Sequence, residues 1–204
     1  MKIGLYFGTF NPIHVGHLVI ANYMAEFTSL DQVWMVVTPQ NPLKQKSSLL
    51  ADYHRLALVK VAVEDNPKLR ASDIEFHLPQ PSYTSTTLAY LKEKYPNDEF
   101  CLIMGEDNLR TFHKWYNHEQ LLDNYAFYIY PRSLTIQEEA EVLEIGVRTE
   151  NGFHLHPNIH VCDDAPVMKV SSSFIRAAIK QGKDVRYLLT EPVHKYIDEM
   201  NFYR

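Results

Sequence analysis

The sequence predicts an α/β fold: a doubly wound parallel sheet with helices on both faces and a helical C-terminal segment. Three observations carry this. Short apolar runs alternate with amphipathic ones along the chain, which is the order that strand–helix–strand units impose. The apolar runs are rich in Val, Ile, Phe and Tyr and are bounded by Pro, Gly or Asn, as buried strands are. The stretch from about Lys169 to Arg204 reads as helical. The 204 residues are read as one domain, on a scale of roughly 100–200 residues per domain.

Taken in order, Ile3–Phe7 is the first strand. Leu18–Phe27 follows as a helix, with Leu18, Ala21 and Ala25 at helical spacing. Val33–Thr38 is a strand and Tyr53–Val63 a helix. Ala71–Gln80, mixed polar and apolar, is a candidate further strand. Ser85–Tyr95 is a helix, and Phe100–Met104 and Ala126–Tyr130 are strands. Ile136–Ile145 reads as a helix whose wet face is Glu138-Glu139-Ala140-Glu141. Glu150–Pro157 is a loop with Asn151-Gly152 as a turn. Ile159–Val161 is a strand, and Ser172–Gln181 and Glu191–Met200 are the closing helices. Ligands of such sheets bind at the carboxyl ends of the strands. Chemistry is therefore sought in the loops after Phe7, Thr38, Met104, Tyr130 and Val161.

Composition narrows the classes. Apolar residues make up 46% and charged residues 22%, which excludes disordered, collagen-like and disulfide-scaffold chains. Twenty Lys+Arg against 25 Asp+Glu leave a net charge of −5, the wrong sign for wrapping duplex nucleic acid. A small anion held by local groups remains open. Cys101 and Cys162 each lie in an apolar run and read as buried free thiols. The apolar start, Met1–Phe7, turns polar by Thr9, too soon for a signal peptide. No run approaches the ~18 apolar residues of a membrane span. The expectation is a reducing, cytoplasmic setting.

The most constrained run is Gly8-Thr9-Phe10-Asn11-Pro12-Ile13-His14-Val15-Gly16-His17. It follows the first strand and opens the first helix. Gly8 lets backbone approach a ligand closely, and free N–H groups at a helix start attract phosphate. His14 and His17, three apart, share a helical face. Two imidazole donors there suit phosphate oxygens and the charge that grows on them in a transition state. No Cys or carboxylate at ligand spacing nearby supports zinc instead.

A second run is Val170-Ser171-Ser172-Ser173-Phe174-Ile175-Arg176. A Ser N-cap leaves N–H groups and hydroxyls pointing outward. Arg176, about one turn on, can make a forked contact to phosphate. Gly182 is a natural helix stop.

These two runs resemble the GxFxPxHxGH and SSxxIR signatures of the nucleotidylyltransferase superfamily. Between them, Pro81-Ser82-Tyr83-Thr84 with Ser85-Thr86-Thr87-Leu88 resembles the PSYTxDTL block of the bacterial nicotinate mononucleotide adenylyltransferases. Gly105-Glu106-Asp107-Asn108-Leu109 with Phe112 and Trp115 resembles their GxDxLxxFxxW block. Thr38–Lys44 stands where they carry a substrate loop, and Val185–Leu189 with Tyr196-Ile197 resembles their C-terminal end. The likeness covers nearly the whole chain, in order.

The resemblance implies a Rossmann-like fold and transfer of AMP from ATP, with Mg²⁺, to nicotinate mononucleotide, giving deamido-NAD and pyrophosphate. It implies His14, His17 and Arg176 as the catalytic groups around the triphosphate. Gly8, Thr9, Phe10, Ser172 and Ser173 would shape the ATP pocket with Gly105 and Asp107, and Asp107 is also a possible metal contact. For the acceptor it implies Asn11, Lys44, Tyr83, Thr84, Trp115 and Tyr116. Trp115 is a stacking surface for a flat ring, and Thr84 with nearby N–H groups would donate to its carboxylate. Two departures stand out. Leu43 replaces the histidine often found before the substrate-loop lysine, leaving phosphate contact to Lys44 or Lys46. Thr86 replaces the Asp of PSYTxDT, so no role of that Asp carries over. The amide mononucleotide and phosphopantetheine remain alternative acceptors, and a non-catalytic nucleotide sensor is the alternative class. His54 reads as a packing or surface residue. His113 and His118 flank Trp115. His154, His156 and His160 match no zinc spacing.

Overall fold

Strand β1 (Lys2–Gly8) sends Ile3 and Leu5 to one packed face and Tyr6 to the other. Strand β4 (Glu99–Gly105) does the same with Leu102 and Met104 against Cys101 and Ile103. This two-residue alternation is what a strand buried on both faces requires. Gly4 lies at the crowded centre. A Cβ there would stand 2.6 Å from Leu30 Cδ1 and 2.7 Å from Ile103 Cδ1, so a side chain at this position would force both neighbours to shift. These positions come from a computed structural model that describes residues 1–39, 49–131 and 155–204.

The other strands among the described residues are β2 (Gln32–Val37), β3 (Leu69–Ser72), β5 (Phe127–Tyr130) and β6 (Ile159–Val161). All six pair in parallel, in the order β3-β2-β1-β4-β5-β6. The chain moves outward from β1 to β3, then returns to lay β4 on the other side of β1. That reversal opens a crevice beyond the carboxyl ends of β1 and β4, where sheets of this topology take ligands.

Helices cover both faces. Helix α1 (Val15–Phe27), α2 (Asp52–Val63), α6 (Ser172–Lys180) and α7 (Glu191–Glu199) bury Met24, Leu58, Ile175 and Ile197 in one core. Helix α3 (Thr84–Lys94), α4 (Glu106–Arg110) and α5 (His118–Asn124) bury Leu88, Leu109 and Leu121 in the other, around Phe112 and Phe127. The doubly wound parallel sheet expected from the sequence is the fold observed. Gly182 ends α6 in the left-handed region, at φ 70°, with Lys183 N–H returning to the Ala178 carbonyl at 2.9 Å.

Some elements differ from expectation. Helix α1 starts at Val15, because the His14 carbonyl already accepts the His17 and Leu18 N–H groups. The candidate strand Ala71–Gln80 is corrected: the strand is Leu69–Ser72, followed by a 3-10 turn, Ile74–His77. Helices α4 and α5 have five and seven residues, too short to show a helical repeat. The helix read at 136–145, most of the loop at 150–157 and Lys44 with its neighbours lie outside the described residues. Both cysteines are free, and burial pushes their thiols above the usual range. Among the described residues no helix is long and apolar enough to cross a membrane.

Candidate active site

The turn between β1 and α1 sets two imidazoles face to face. The rings of His14 and His17 stack with centroids 3.8 Å apart and planes 27° from parallel. The His14 backbone N–H donates to His17 Nδ1 at 3.3 Å, so the neutral ring of His17 carries its proton on Nε2. Phe10 meets His17 edge-on at 5.0 Å, and Tyr6 meets Phe10 edge-on at 5.9 Å. Phe10 holds φ 45°, a left-handed conformation that a non-glycine residue adopts only where its surroundings fix it. Its ring is buried and fills the space a Cβ on Gly8 would need, 2.8 Å away. Gly16 is required for a similar reason, since a Cβ there would stand 2.7 Å from Val170 Cγ1 and 3.1 Å from the His14 ring.

His14 is 5% exposed. Burial pulls its pKa down to about 4, so at neutral pH it is an uncharged imidazole. Its Nδ1 is buried with no hydrogen-bond partner among the described residues. The positive field of the site therefore comes from the α1 N-terminus and from arginine, and His14 offers directed hydrogen bonding.

The second run docks onto the first. Ser171 caps α6 by accepting the Phe174 N–H at 3.2 Å. The Ser172 hydroxyl donates to the Pro12 carbonyl at 2.8 Å. Arg176 Nη1 donates to the Asn11 carbonyl at 2.8 Å, and its Nη2 to Ser173 Oγ at 3.2 Å. Residues 160 or more positions apart thus form one surface at the end of β1. Asn11 itself is 1% exposed, and its Oδ1 accepts from the Leu50 N–H at 3.2 Å.

Sequence reasoning missed Arg55. It is fully buried and joins three loops. Nη1 donates to the Thr9 carbonyl at 2.6 Å and the Thr38 carbonyl at 2.9 Å, and Nε donates to the Leu50 carbonyl at 3.1 Å. Its Nη2 pairs with Asp52 at 2.5 Å. The loop after β1, the end of β2 and the chain entering α2 are held by one guanidinium. The available signal was an arginine immediately before the apolar run Leu56-Ala57-Leu58-Val59, on a face that otherwise faces the core.

At the end of β4, Gly105 caps α4 and Asp107 lies in its first turn. A Cβ on Gly105 would crowd the Asp107 carboxylate and stand 3.2 Å from the Tyr130 ring. Tyr130 in turn meets Tyr6, hydroxyl to hydroxyl, at 3.2 Å, linking β5 to β1 across the crevice. Trp115 is half-buried on Phe112, with centroids 5.5 Å apart. Tyr83 precedes α3 and Thr84 opens it. The rings of Tyr83 and Tyr116, both exposed, approach to 5.2 Å. The structure therefore forms two groups. One is Phe10, His14, His17, Ser172, Ser173 and Arg176. The other is Tyr83 and Tyr116, each adjoining a further expected acceptor residue, Thr84 or Trp115.

Beneath the second group lies Glu75, also unforeseen. It is 2% exposed; Oε1 accepts the Thr87 hydroxyl at 3.0 Å, and the hydroxyls of Thr38 and Ser82 also favour its charged form. Burial outweighs them and raises its pKa. The folded protein then holds a proton that the unfolded chain releases, so stability is full below about pH 4.5 and falls as pH rises through the folded pKa. Glu75→Gln keeps the shape and removes the charge. It is expected to raise the unfolding midpoint over wild type at pH 8 and to leave it near wild type at pH 4.5. Equal midpoints at both values would contradict this.

The other histidines are placed as follows. His54 packs, with Nδ1 3.1 Å from the Tyr196 hydroxyl. His118 meets Phe112 edge-on, His156 accepts the Asn158 N–H through Nδ1, and His160 lies against Tyr128. Among the described residues no three His, Cys, Asp or Glu side chains gather as a metal site.

Comparison with known proteins places the chain. The cytidylyltransferase-like family matches residues 5–178, and the chain belongs to that family. The chain is 60% identical to the probable nicotinate-nucleotide adenylyltransferase of Flavobacterium johnsoniae over the full length of both, and 48% identical to that of Cytophaga hutchinsonii over 100% of this chain and 98% of the other. Within the family it therefore stands among the nicotinate-nucleotide adenylyltransferases. The fold is shared with the Plasmodium falciparum nicotinic acid mononucleotide adenylyltransferase complexed with NaAD. That likeness has a TM-score of 0.76 at 20% identity and covers 99% of this chain and 97% of the other.

Proposed function

We propose that the crevice at the ends of β1 and β4 transfers AMP from ATP to nicotinate mononucleotide, giving deamido-NAD and pyrophosphate. The observation that carries this reading is the docking of Arg176 and Ser172 onto the Asn11–Pro12 turn beside the stacked His14 and His17. It joins Arg176 and the α6 N-terminus to the turn that carries the two imidazoles, groups of the kind that suit a triphosphate.

The 5′-phosphate of the mononucleotide attacks the α-phosphorus of ATP, a new P–O bond forms, and the bond to pyrophosphate breaks. No covalent enzyme intermediate is required. Holding the two anions in line and matching the charge that builds on the leaving group supplies the rate. In this reading His17 donates through Nε2, Arg176 matches charge, and neutral His14 supplies a hydrogen bond without adding charge. Gly8, Thr9, Phe10, Gly105, Asp107 and Ser173 shape the ATP side. Tyr83, Thr84, Trp115 and Tyr116 receive the pyridine ring and its carboxylate, with Lys44 toward the phosphate. The side chain of Asn11, expected at the acceptor, is engaged within the protein and braces the turn that holds Arg176.

The donor set suits Mg²⁺, which binds through substrate phosphates and one or two carboxylates. Asp107 is the carboxylate the proposed site offers. When bound, Mg²⁺ would neutralise triphosphate charge. Two free cysteines fit a reducing, cytoplasmic setting.

The test is pyrophosphate release with MgATP, run in parallel with nicotinate mononucleotide and with its amide. Release with the acid at least tenfold faster than with the amide is the expected result. Equal release would keep the transfer and discard the acid-specific pocket. Release with neither, despite ATP binding, would overturn the reaction.

A further inference from the structure

The chain closes on itself at Asn11. After α7, residues 201–204 form a tight turn. Phe202 N–H returns to the Ile197 carbonyl at 3.1 Å, and Asn201 and Tyr203 both take left-handed backbone, at φ 52° and 65°. Neither is glycine, so the surroundings hold the turn in this shape. Phe202 provides the anchor, packing 4.7 Å from the His54 ring. The turn aims the Tyr203 hydroxyl at Asn11, where it donates to Oδ1 at 2.8 Å.

Asn11 is thereby a junction. Its side-chain oxygen receives Tyr203 and the Leu50 N–H. Its carbonyl oxygen receives Arg176. The amide side chain cannot rotate without losing two bonds, and the carbonyl it precedes is the one that aims the guanidinium.

We propose that Tyr203 is a positioning residue for the transfer reaction: by fixing the Asn11 carboxamide it sets the angle at which Arg176 meets the triphosphate. This rests on the reading that Arg176 binds ATP. Tyr203 touches no substrate. Its effect falls on the ATP side, because Arg176 hangs on Asn11 while Tyr83 and Thr84 are held by α3.

The experiment is a double-mutant cycle of Tyr203→Phe with Arg176→Lys. It is read as ATP Kd by calorimetry without acceptor, as KM for each substrate, and as the unfolding midpoint. Tyr203→Phe keeps the ring and removes one hydrogen bond. It is expected to weaken ATP binding about 3–10-fold, the range one such bond spans, with KM for the mononucleotide within about twofold of wild type. In the Arg176→Lys background the same change is expected to have little further effect, since the two act as a unit. Unchanged ATP affinity in Tyr203→Phe, or a lowered midpoint with no kinetic change, would reduce Tyr203 to a structural contact. Full additivity, or an effect on the mononucleotide instead, would also overturn the proposal. If Arg176→Lys alone leaves ATP binding untouched, it is the underlying reading of the site that falls.

Discussion

His17→Ala is expected to lower kcat by about 10²–10³, the loss that follows removal of one preorganised donor to a developing charge. The ring is well placed for that size of effect. It is pinned by stacking on His14, by Phe10 at its edge and by the backbone N–H that occupies Nδ1. No reorganisation is then needed when charge builds, which is the condition for a donor to count fully. The fold should tolerate the change, because His17 is only partly buried and alanine suits the interior of α1. The check is single-turnover pyrophosphate release at saturating substrates, with an unfolding midpoint alongside. A folded variant within threefold of wild type would remove His17 from the proposed machinery. His14→Ala makes a useful contrast. His14 is uncharged at neutral pH, so its removal is expected to cost a hydrogen bond and core contacts and to leave the salt dependence of ATP binding unchanged.

Arg55→Met is expected to destabilise the protein by about 3–5 kcal/mol, since three carbonyls lose their donor at about 1–3 kcal/mol for each acceptor left unpaired in the interior. The Thr9, Thr38 and Leu50 carbonyls lose the donor they share, and methionine returns nothing to them. A native domain holds only about 5–15 kcal/mol in total, so this single substitution is a large fraction. Asp52→Asn is the control. Asp52 is about half exposed, asparagine keeps an acceptor for Nη2, and the three carbonyl bonds remain, so the loss is expected to be smaller, about 1–2 kcal/mol. Urea unfolding of both variants decides. Comparable small losses would mean that the carbonyls find other donors and that Arg55 is not what joins the loops.

The fold was legible where apolar runs were long and sharply bounded. The strand through Phe100–Met104 and the helix through Tyr53–Val63 needed only periodicity. The segment around Ile74 was not legible, since a four-residue strand and a four-residue 3-10 turn share one mixed pattern. The candidate site was legible in His14, His17, Ser172 and Arg176, because tightly spaced residues carry their spacing in the sequence. Arg55, Glu75 and Tyr203 were not. Each works by reaching a group far along the chain, and nothing in the local sequence of a buried arginine, a lone carboxyl or a late tyrosine says which group that is. The imidazole of His14 was recognised, but its neutrality follows from burial, which only the fold supplies.

The Tyr203–Asn11 bond spans 192 positions, and this has a consequence for how the protein comes into being. At about 5–20 residues per second of synthesis, the turn at Asn11 waits roughly 10–40 s for the hydroxyl that braces it. Strands β2 to β5 are added during that interval, and once β5 is made the sheet from β1 to β5 has its strands while the brace on Asn11 is still absent. Closure of so long a loop comes late in folding, after local contacts are in place. The nascent chain therefore carries an unbraced Asn11 turn until the turn at residues 201–204 forms, and the proposed grip on ATP follows that step.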